Sequence, residues 1–261
     1  MRTIVHISDL HFGRTDENIV QALKDFIAEL SPHVLVVSGD LTQRAKQAEF
    51  LQAKAFLAPL ACPKIIVPGN HDISLYNLWR RFIWPHRRYQ AHIQQLLEPV
   101  YEDAEVFILG LNTSRPLVFK GGRLNRRQLN FAASRLAGSA EKVKIVVTHH
   151  PLKGLRDRTI LQSLVLAGAD VFLSGHLHLG GIENFEQIIQ ARNCRALLVQ
   201  VGTATSVRYR GEPNSFNVLT VTGTEATVAQ YHWSEDSGRF LNIHTHSHQL
   251  NKNLKDFSPG L

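Results

Sequence analysis

Five short segments constrain this chain most: "SDLHF" from Ser8, "SGDLTQ" from Ser38, "PGNHD" from Pro68, "THHP" from Thr148 and "SGHLHLG" from Ser174. Each stands at or just beyond the end of a short apolar, β-branched run: "TIVHI", "HVLVVS", "KIIVP", "KVKIVVTH" and "DVFLSG". Such runs read as buried strands. Any acceptable fold must therefore place five strand ends, with their histidines and carboxylates, somewhere useful.

Between the first three runs lie the helical patterns "ENIVQALKDFIAEL" and "QAEFLQAKAFLAPL", which predicts a β-α-β-α-β opening. Further on come the strand "EVFILGLN", the helix "NRRQLNFAASRLA" and a helix over 159–167. After Gly181 the texture changes. "FEQIIQAR", "RALLVQVG", "FNVLTVT", "ATVAQYHW" and "FLNIHTH" follow one another as strands joined by short polar turns. The class is mixed α/β with an antiparallel C-terminal half. With no repeat and no linker-like stretch, the 261 residues are expected to form one domain, carrying a helical, basic and aromatic insertion at about 73–98.

In open α/β sheets, ligands bind outside the carboxyl ends of the strands, so the five segments are expected to meet in one crevice. Their side chains are Asp9, His11, Asp40, Asn70, His71, Asp72, His149, His150, His176 and His178. Imidazoles, carboxylates and an amide without a thiolate suit a pair of divalent cations such as Mn, Fe or Zn. Glycine precedes Asp40, Asn70 and His176, where its backbone freedom would let the chain turn sharply. Taken alone, Gly69-Asn70 could equally be a strand-ending turn.

In order, D-x-H, G-D, G-N-H-D, a histidine after a strand and G-H-x-H resemble the motif set of the calcineurin-like metallophosphoesterases. That resemblance implies a four-layer αββα sandwich and a two-metal centre. Carried over position by position, it implies Asp9, His11 and His178 on one metal, Asn70, His149 and His176 on the other, and Asp40 bridging them. His149 is chosen over His150 because the family reads H-x-P there, and His150 is then expected to face away or to pack behind the ligands. His71 cannot readily ligate beside Asn70, and is expected to protonate the leaving oxygen, with Asp72 orienting its ring. A two-metal site would leave net positive charge for a phosphodiester and activate water near neutral pH.

Composition narrows the partner. Lys plus Arg number 29 against 22 Asp plus Glu, a formal charge of +7, which favours an anionic partner: nucleotides, nucleic acid and acidic lipid headgroups all qualify. A long basic stripe is missing, so nucleic acid is not expected. The two cysteines, Cys62 and Cys194, have no C-x-x-C spacing and fit a reducing cytoplasm better than a disulfide scaffold. "NLWRRFIWPHRRYQ" is either a helical surface with core tryptophans or a cap of Trp79, Phe82, Ile83 and Trp84 that stacks a base or touches a lipid interface. In "GTATSVRYRGEPNSF", Thr203, Arg208 and Arg210 could reach substrate phosphate, or line a solvated loop. Asn70, His71 and Trp79 are the other candidate substrate contacts. His6, His33, His86 and His92 lie outside the strand-end pattern and are read as structural or exposed. His244, His246 and His248 alternate as a solvated strand face would.

The compact length and the "GNHD" block followed by a short helical insertion look most like bacterial class III cyclic-nucleotide phosphodiesterases, with cyclic AMP as the expected substrate. Two alternatives stay open. One is hydrolysis of UDP-2,3-diacylglucosamine, with the cap holding acyl chains. The other is a non-catalytic protein-binding scaffold, against which every metal and acid position being filled counts. A dimer is compatible with the sequence, which does not specify oligomeric state.

Overall fold

The computed structural model describes residues 1–118, 121–138, 141–152, 155–185, 196–207 and 211–250. The first half alternates as expected: β1 Arg2–Ile7, α1 Glu17–Leu30, β2 Val34–Val37, α2 Gln47–Leu57 and β3 Lys64–Ile66. A single 3-10 turn, Asn70–Asp72, ends the third strand, and the insertion forms two short helices, α3 Leu78–Ile83 and α4 Arg87–His92. Then follow β4 Val100–Glu102, β5 Val106–Gly110, α5 Arg126–Ala137, β6 Val143–Val147, α6 Leu155–Leu166 and β7 Val171–Ser174. The rest is β8 Gly181–Asn184, β9 Leu197–Gln200, β10 Ser215–Val221, β11 Glu225–Ser234 and β12 Arg239–Gln249.

Helix boundaries follow local chemistry. Asp16 caps α1 by accepting from the backbone N–H of Asn18 at 2.8 Å, and Ile19, Leu23 and Ile27 make its buried stripe. Asn125 and Gln128 form a reciprocal capping box on α5, which buries Ala132 and Leu136. Helix α6 begins four residues before the predicted start at 159, ahead of its apolar repeat.

Two six-stranded sheets result, in the orders β12-β11-β10-β1-β2-β3 and β4-β5-β6-β7-β9-β8. Period-two alternation divides the central strands between two cores. Ile4, Val34, Val36, Ile145, Val147, Val171 and Leu219 meet between the sheets. Val5, Ile7, Leu35 and Val37 face the other way, against Leu23 and Ile27 of α1 and Phe50 and Ala53 of α2. On the far side, Phe107, Leu109 and Val146 pack against Leu136, Leu161 and Leu164 of α5 and α6. The layers are therefore helix, sheet, sheet, helix. The predicted antiparallel texture is carried by β10, β11 and β12 and by the β8–β9 pair, while β9 itself lies parallel to β7. Most of the run predicted as a strand at 185–192 lies outside the described residues, as does Cys194. Strand β4, too short and polar to be seen in the pattern, edges the second sheet.

Parallel pairing of β1 with β2, β2 with β3, and β6 with β7 sends their carboxyl ends to one rim of the sandwich. Among the described residues no helix is long and apolar enough to cross a membrane.

Candidate metal centre

The rim gathers the predicted side chains, and the backbone that carries them is strained. Asp9, His11, Asp40, His176 and His178 all have positive φ, between 50° and 74°. A left-handed conformation costs a non-glycine residue about 1–2 kcal/mol, so it persists only where surrounding contacts impose it. Those contacts are visible. Asp9 N–H donates to the Gly39 carbonyl at 3.0 Å and His11 N–H to the Asp40 carbonyl at 3.0 Å, lacing the β1 end to the β2 end. Gly39 has the expected left-handed freedom, with φ of 98°. The glycines before Asn70 and His176 serve differently. A Cβ on Gly69 would overlap the Asp40 carboxylate, and one on Gly175 would overlap Ser8 Oγ and stand 2.6 Å from Asp9 Oδ2. Close approach, not dihedral freedom, requires glycine there.

Asp9 is fully buried. Its Oδ2 accepts from Ser8 Oγ at 2.6 Å and His176 N–H at 2.9 Å, which turns Oδ1 toward the histidines. Oδ1 lies 3.1 Å from His178 Nε2 and 3.6 Å from His11 Nε2, and those two nitrogens are 3.1 Å apart. Among the described residues Asp9 Oδ1 has no hydrogen-bond partner of good geometry, and neither has Nδ1 of His11 or His178. Asp9 Oδ1 and the Nε2 atoms of His11 and His178 thus converge. Asp40 continues the cluster: Oδ1 accepts from His71 N–H at 2.8 Å, and Oδ2 lies 3.9 Å from His11 Nε2 and 3.4 Å from His149 Nε2.

His149 Nδ1 lies 2.8 Å from the Ser38 carbonyl, which can only accept, so that nitrogen carries the proton. Nε2 is left facing Asp40 Oδ2 and the Asn70 side chain, with Asn70 Oδ1 at 3.1 Å. An acceptor aimed at acceptors wants a cation. Burial favours neutral His149, yet the Asp40 carboxylate pulls its pKa up to about 9. Burial would likewise raise Asp9, but its contacts with His11 and His178 hold it well below the usual carboxylate range, and His149 has the same effect on Asp40. The cluster demands positive charge, from a proton or from a metal that displaces it. Sets of donor atoms within 4.8 Å of one another are Asp9–His11–His178, Asp9–Asp40–His149 and His149–His150–His176. These residues fit divalent ions by chemistry and by spacing.

His150 is buried behind His149, with Nδ1 2.8 Å from Thr113 Oγ1, its ring centroid 4.4 Å from that of His176, and Nε2 unpartnered. His71 lines the cleft, and its Nδ1 is 2.8 Å from the Gln43 carbonyl, again a proton donated to an acceptor. Here an expectation fails: Asp72 does not orient the His71 ring. Its carboxylate accepts from the backbone N–H groups of Leu41, Thr42 and Gly69 and from Thr42 Oγ1, bracing the loops after β2 and β3 against each other. Thr203 is likewise no substrate contact, being buried with its hydroxyl donating to the Asp9 carbonyl at 2.7 Å. Trp79 does not line the cleft. Arg208 and Arg210 lie outside the described residues.

The cleft encloses about 380 Å³ and is also lined by Gln43, Arg44, Ile73, Leu75, Arg81 and His176. Arg44 and Gln43 escaped sequence reasoning although "DLTQR" follows directly on Asp40; the only signal was that adjacency. The remaining histidines are structural: His6 pairs with Ser38 Oγ at 2.9 Å, His86 with Asn112 at 3.2 Å, His33 accepts from Thr3 N–H, and His92 stacks on Phe50. His244, His246 and His248 lie along the edge strand β12.

Residues 2–180 match the family model described as calcineurin-like phosphoesterase. The chain belongs to that family. It is 24% identical over 253 residues to a probable cyclic nucleotide phosphodiesterase of Synechococcus, covering 88% of this chain and 92% of that one. A UDP-2,3-diacylglucosamine pyrophosphatase of Chlamydia muridarum is 38% identical over 78 residues, 28% of this chain and 23% of that one. A purple acid phosphatase from yellow lupin shares the fold of this calcineurin-like phosphoesterase, with a TM-score of 0.69 at 12% identity, covering 94% of this chain and 53% of that chain.

Proposed function

We propose that the chain is a two-metal phosphodiesterase acting on a 3′,5′-cyclic nucleotide, cyclic AMP foremost. The observation that carries the reading is the Asp40 carboxylate, whose Oδ2 lies 3.9 Å from His11 Nε2 and 3.4 Å from His149 Nε2, next to one proposed ligand of each ion. Asp9, His11 and His178 would hold one ion, and Asn70, His149 and His176 the other. Bound there, divalent ions such as Mn, Fe or Zn supply Lewis acidity and a water activated at neutral pH.

The chain's own residues do the rest. Gln43 fixes the His71 ring through Nδ1, leaving Nε2 as the nitrogen that gives its proton to the departing oxygen; His71 is the catalytic acid. Asp72 positions it indirectly, by holding the Asn70–Asp72 turn. Arg44, at the cleft wall, offers a cation to a phosphate anion. The relative that spans nearly the whole chain carries a cyclic nucleotide phosphodiesterase name, which supports the choice of substrate.

A second reading, hydrolysis of UDP-2,3-diacylglucosamine, is favoured by one feature. Beside the cleft lies a groove of about 470 Å³, lined by Trp84, Pro85 and Ala91 and rimmed by Arg80, Arg87 and Arg88. The segment 72–75 divides the two, with Ile73 and Leu75 facing the cleft and Asp72 and Ser74 the groove. Manganese-loaded protein assayed in parallel on cyclic AMP, cyclic GMP, 2′,3′-cyclic nucleotides, bis-p-nitrophenyl phosphate and UDP-2,3-diacylglucosamine decides by rank of kcat/KM. Cyclic AMP should lead; the nucleotide-lipid in first place would replace it.

A further inference from the structure

Helix α3 is built inside out. Of its six residues Arg81 is the buried one, 2% exposed, with Nε donating to the Pro116 carbonyl at 2.6 Å and Nη1 to the Ser74 carbonyl at 3.3 Å. Its apolar residues face water: Leu78 is 59% exposed and Trp79 77%, with Phe82 and Ile83 about half exposed. The patch continues through Tyr76 before the helix and Trp84 after it, and Leu117, which follows the Pro116 that anchors Arg81, is also exposed. Scattered exposed leucines need no explanation, but six exposed aromatic and aliphatic side chains within residues 76–84 mark a surface that something covers.

We propose that this face docks on an anionic phospholipid bilayer, with α3 lying in the headgroup layer. The inference concerns a second surface and does not rest on the catalytic reading. Charge selects the occupant. From Ile73 to Leu97 there is no aspartate or glutamate, while Arg80 and Arg87 are exposed and Arg88 partly so. Tryptophan and tyrosine beside apolar side chains, bordered by arginines, is the composition that settles at a lipid interface, where binding grows with buried apolar area and with attraction to anionic headgroups. A second copy of the chain fits poorly, because a two-fold contact through this face would set its arginines against themselves. The patch also adjoins the cleft: Leu75 lines it, and Arg44 on its wall lies 5.4 Å over the Tyr76 ring. Docking would bring the cleft mouth to headgroup level.

The chain supplies its own reporter, since Trp79 and Trp84 are exposed and the third tryptophan, Trp233, is buried. Full-length protein, with EDTA and with manganese, is mixed with vesicles of phosphatidylcholine alone or with phosphatidylglycerol. Binding is read by co-sedimentation and by tryptophan emission, with brominated lipid as a quencher. Blue-shifted, quenchable emission and co-sedimentation with anionic vesicles are expected, weakened by about tenfold or more in Trp79→Ala/Trp84→Ala and by high salt, in either metal state. Absence of binding by the unaltered protein overturns the proposal, as does binding that the double variant retains. A concentration-dependent dimer that the double variant abolishes would assign the face to a second copy and overturn it as well. The fluorescence of the unaltered protein decides even where that variant fails to fold.

Discussion

Two walls meet at the cleft. On the wall made by the ends of β1, β2, β3, β6 and β7, Asp9, His11, Asp40 and His149 are buried, and the outer atoms of Asp9, Asp40 and His149 are hydrogen-bonded so that their inner atoms point at one another. On the wall made by 73–84, the charged Arg81 is buried against backbone carbonyls, and leucine, tryptophan and phenylalanine stand in water. The first wall stores unfavourable electrostatics that a cation relieves. The second stores exposed apolar area. Each lacks a partner of a different kind, which separates their expected behaviour under mutation.

The largest effect should come from the first wall. Asp40→Ala removes the carboxylate proposed to bridge the two ions, and should lose bound manganese and activity together. The loss in kcat should exceed the roughly 10- to 100-fold typical of a residue that only supports metal ligands. With His149 as the proposed ligand, His150→Ala should keep most of both, although His150 also stands in a donor set with His149 and His176, with Nδ1 held by Thr113. Metal analysis alongside turnover tests the pair, and the reverse order would exchange His149 and His150 in their roles.

On the proposed two-metal reading, His71→Ala should retain both ions and lose about 10²- to 10⁴-fold in kcat on a ribose leaving group, the usual worth of general acid catalysis. With p-nitrophenolate, stable as an anion, the loss should shrink. An equal loss on both substrates would make His71 a phosphate-positioning residue, and loss of a metal equivalent would make it a ligand.

How much of each wall was legible follows from what a strand pattern encodes. Apolar runs and the residues after them are local, so the rim and its Asp, Asn and His donors could be read from "SDLHF" to "SGHLHLG". The partner of a side chain across the rim is not local. Asp72 looked like the natural neighbour of the His71 ring, but three N–H donors from the loops after β2 and β3 outcompete it. Thr203 bonds to Asp9, 194 residues away. In "LWRRFI" the apolar and basic residues are both visible, but periodicity assigns Leu, Trp, Phe and Ile to the interior, and only the carbonyls of Ser74 and Pro116 reveal that Arg81 takes that place.

Acid should destabilise the scaffold beneath both walls. Burial depresses His6 to about 3 and His86 to about 4, from an ordinary value of 6.5. Folded values below the unfolded ones mean that the unfolded chain takes up protons first. This contribution to stability is intact above about pH 6.5 and is lost as pH falls toward 3–4. Between pH 6.5 and 5 the loss should be about 1.5 kcal/mol for each histidine. Urea midpoints measured in EDTA, which removes any metal-dependent term, should fall across that window. Asp72, raised to about 6 by burial, works in the opposite direction over the same window and offsets part of the fall; a rising profile would mean that these rings protonate freely in the folded state.

The smallest effects set the two walls apart most sharply, because they invert the usual rule for charged and apolar residues. Arg81→Ala leaves the Pro116 and Ser74 carbonyls without their donor and opens space under α3, and should cost about 1–3 kcal/mol. Trp79→Ala, made at a side chain that is 77% exposed, should shift stability by no more than about 0.5 kcal/mol, the range of ordinary surface positions. Chemical denaturation of the two single variants, in the absence of lipid, makes the comparison. If Trp79→Ala is the costlier, the tryptophan packs on the protein in solution and the 73–84 wall is an ordinary core edge. If Arg81→Ala is the costlier, an arginine holds the helix in place and Trp79 contributes little to folding in water, which leaves its apolar area available for a surface outside the chain.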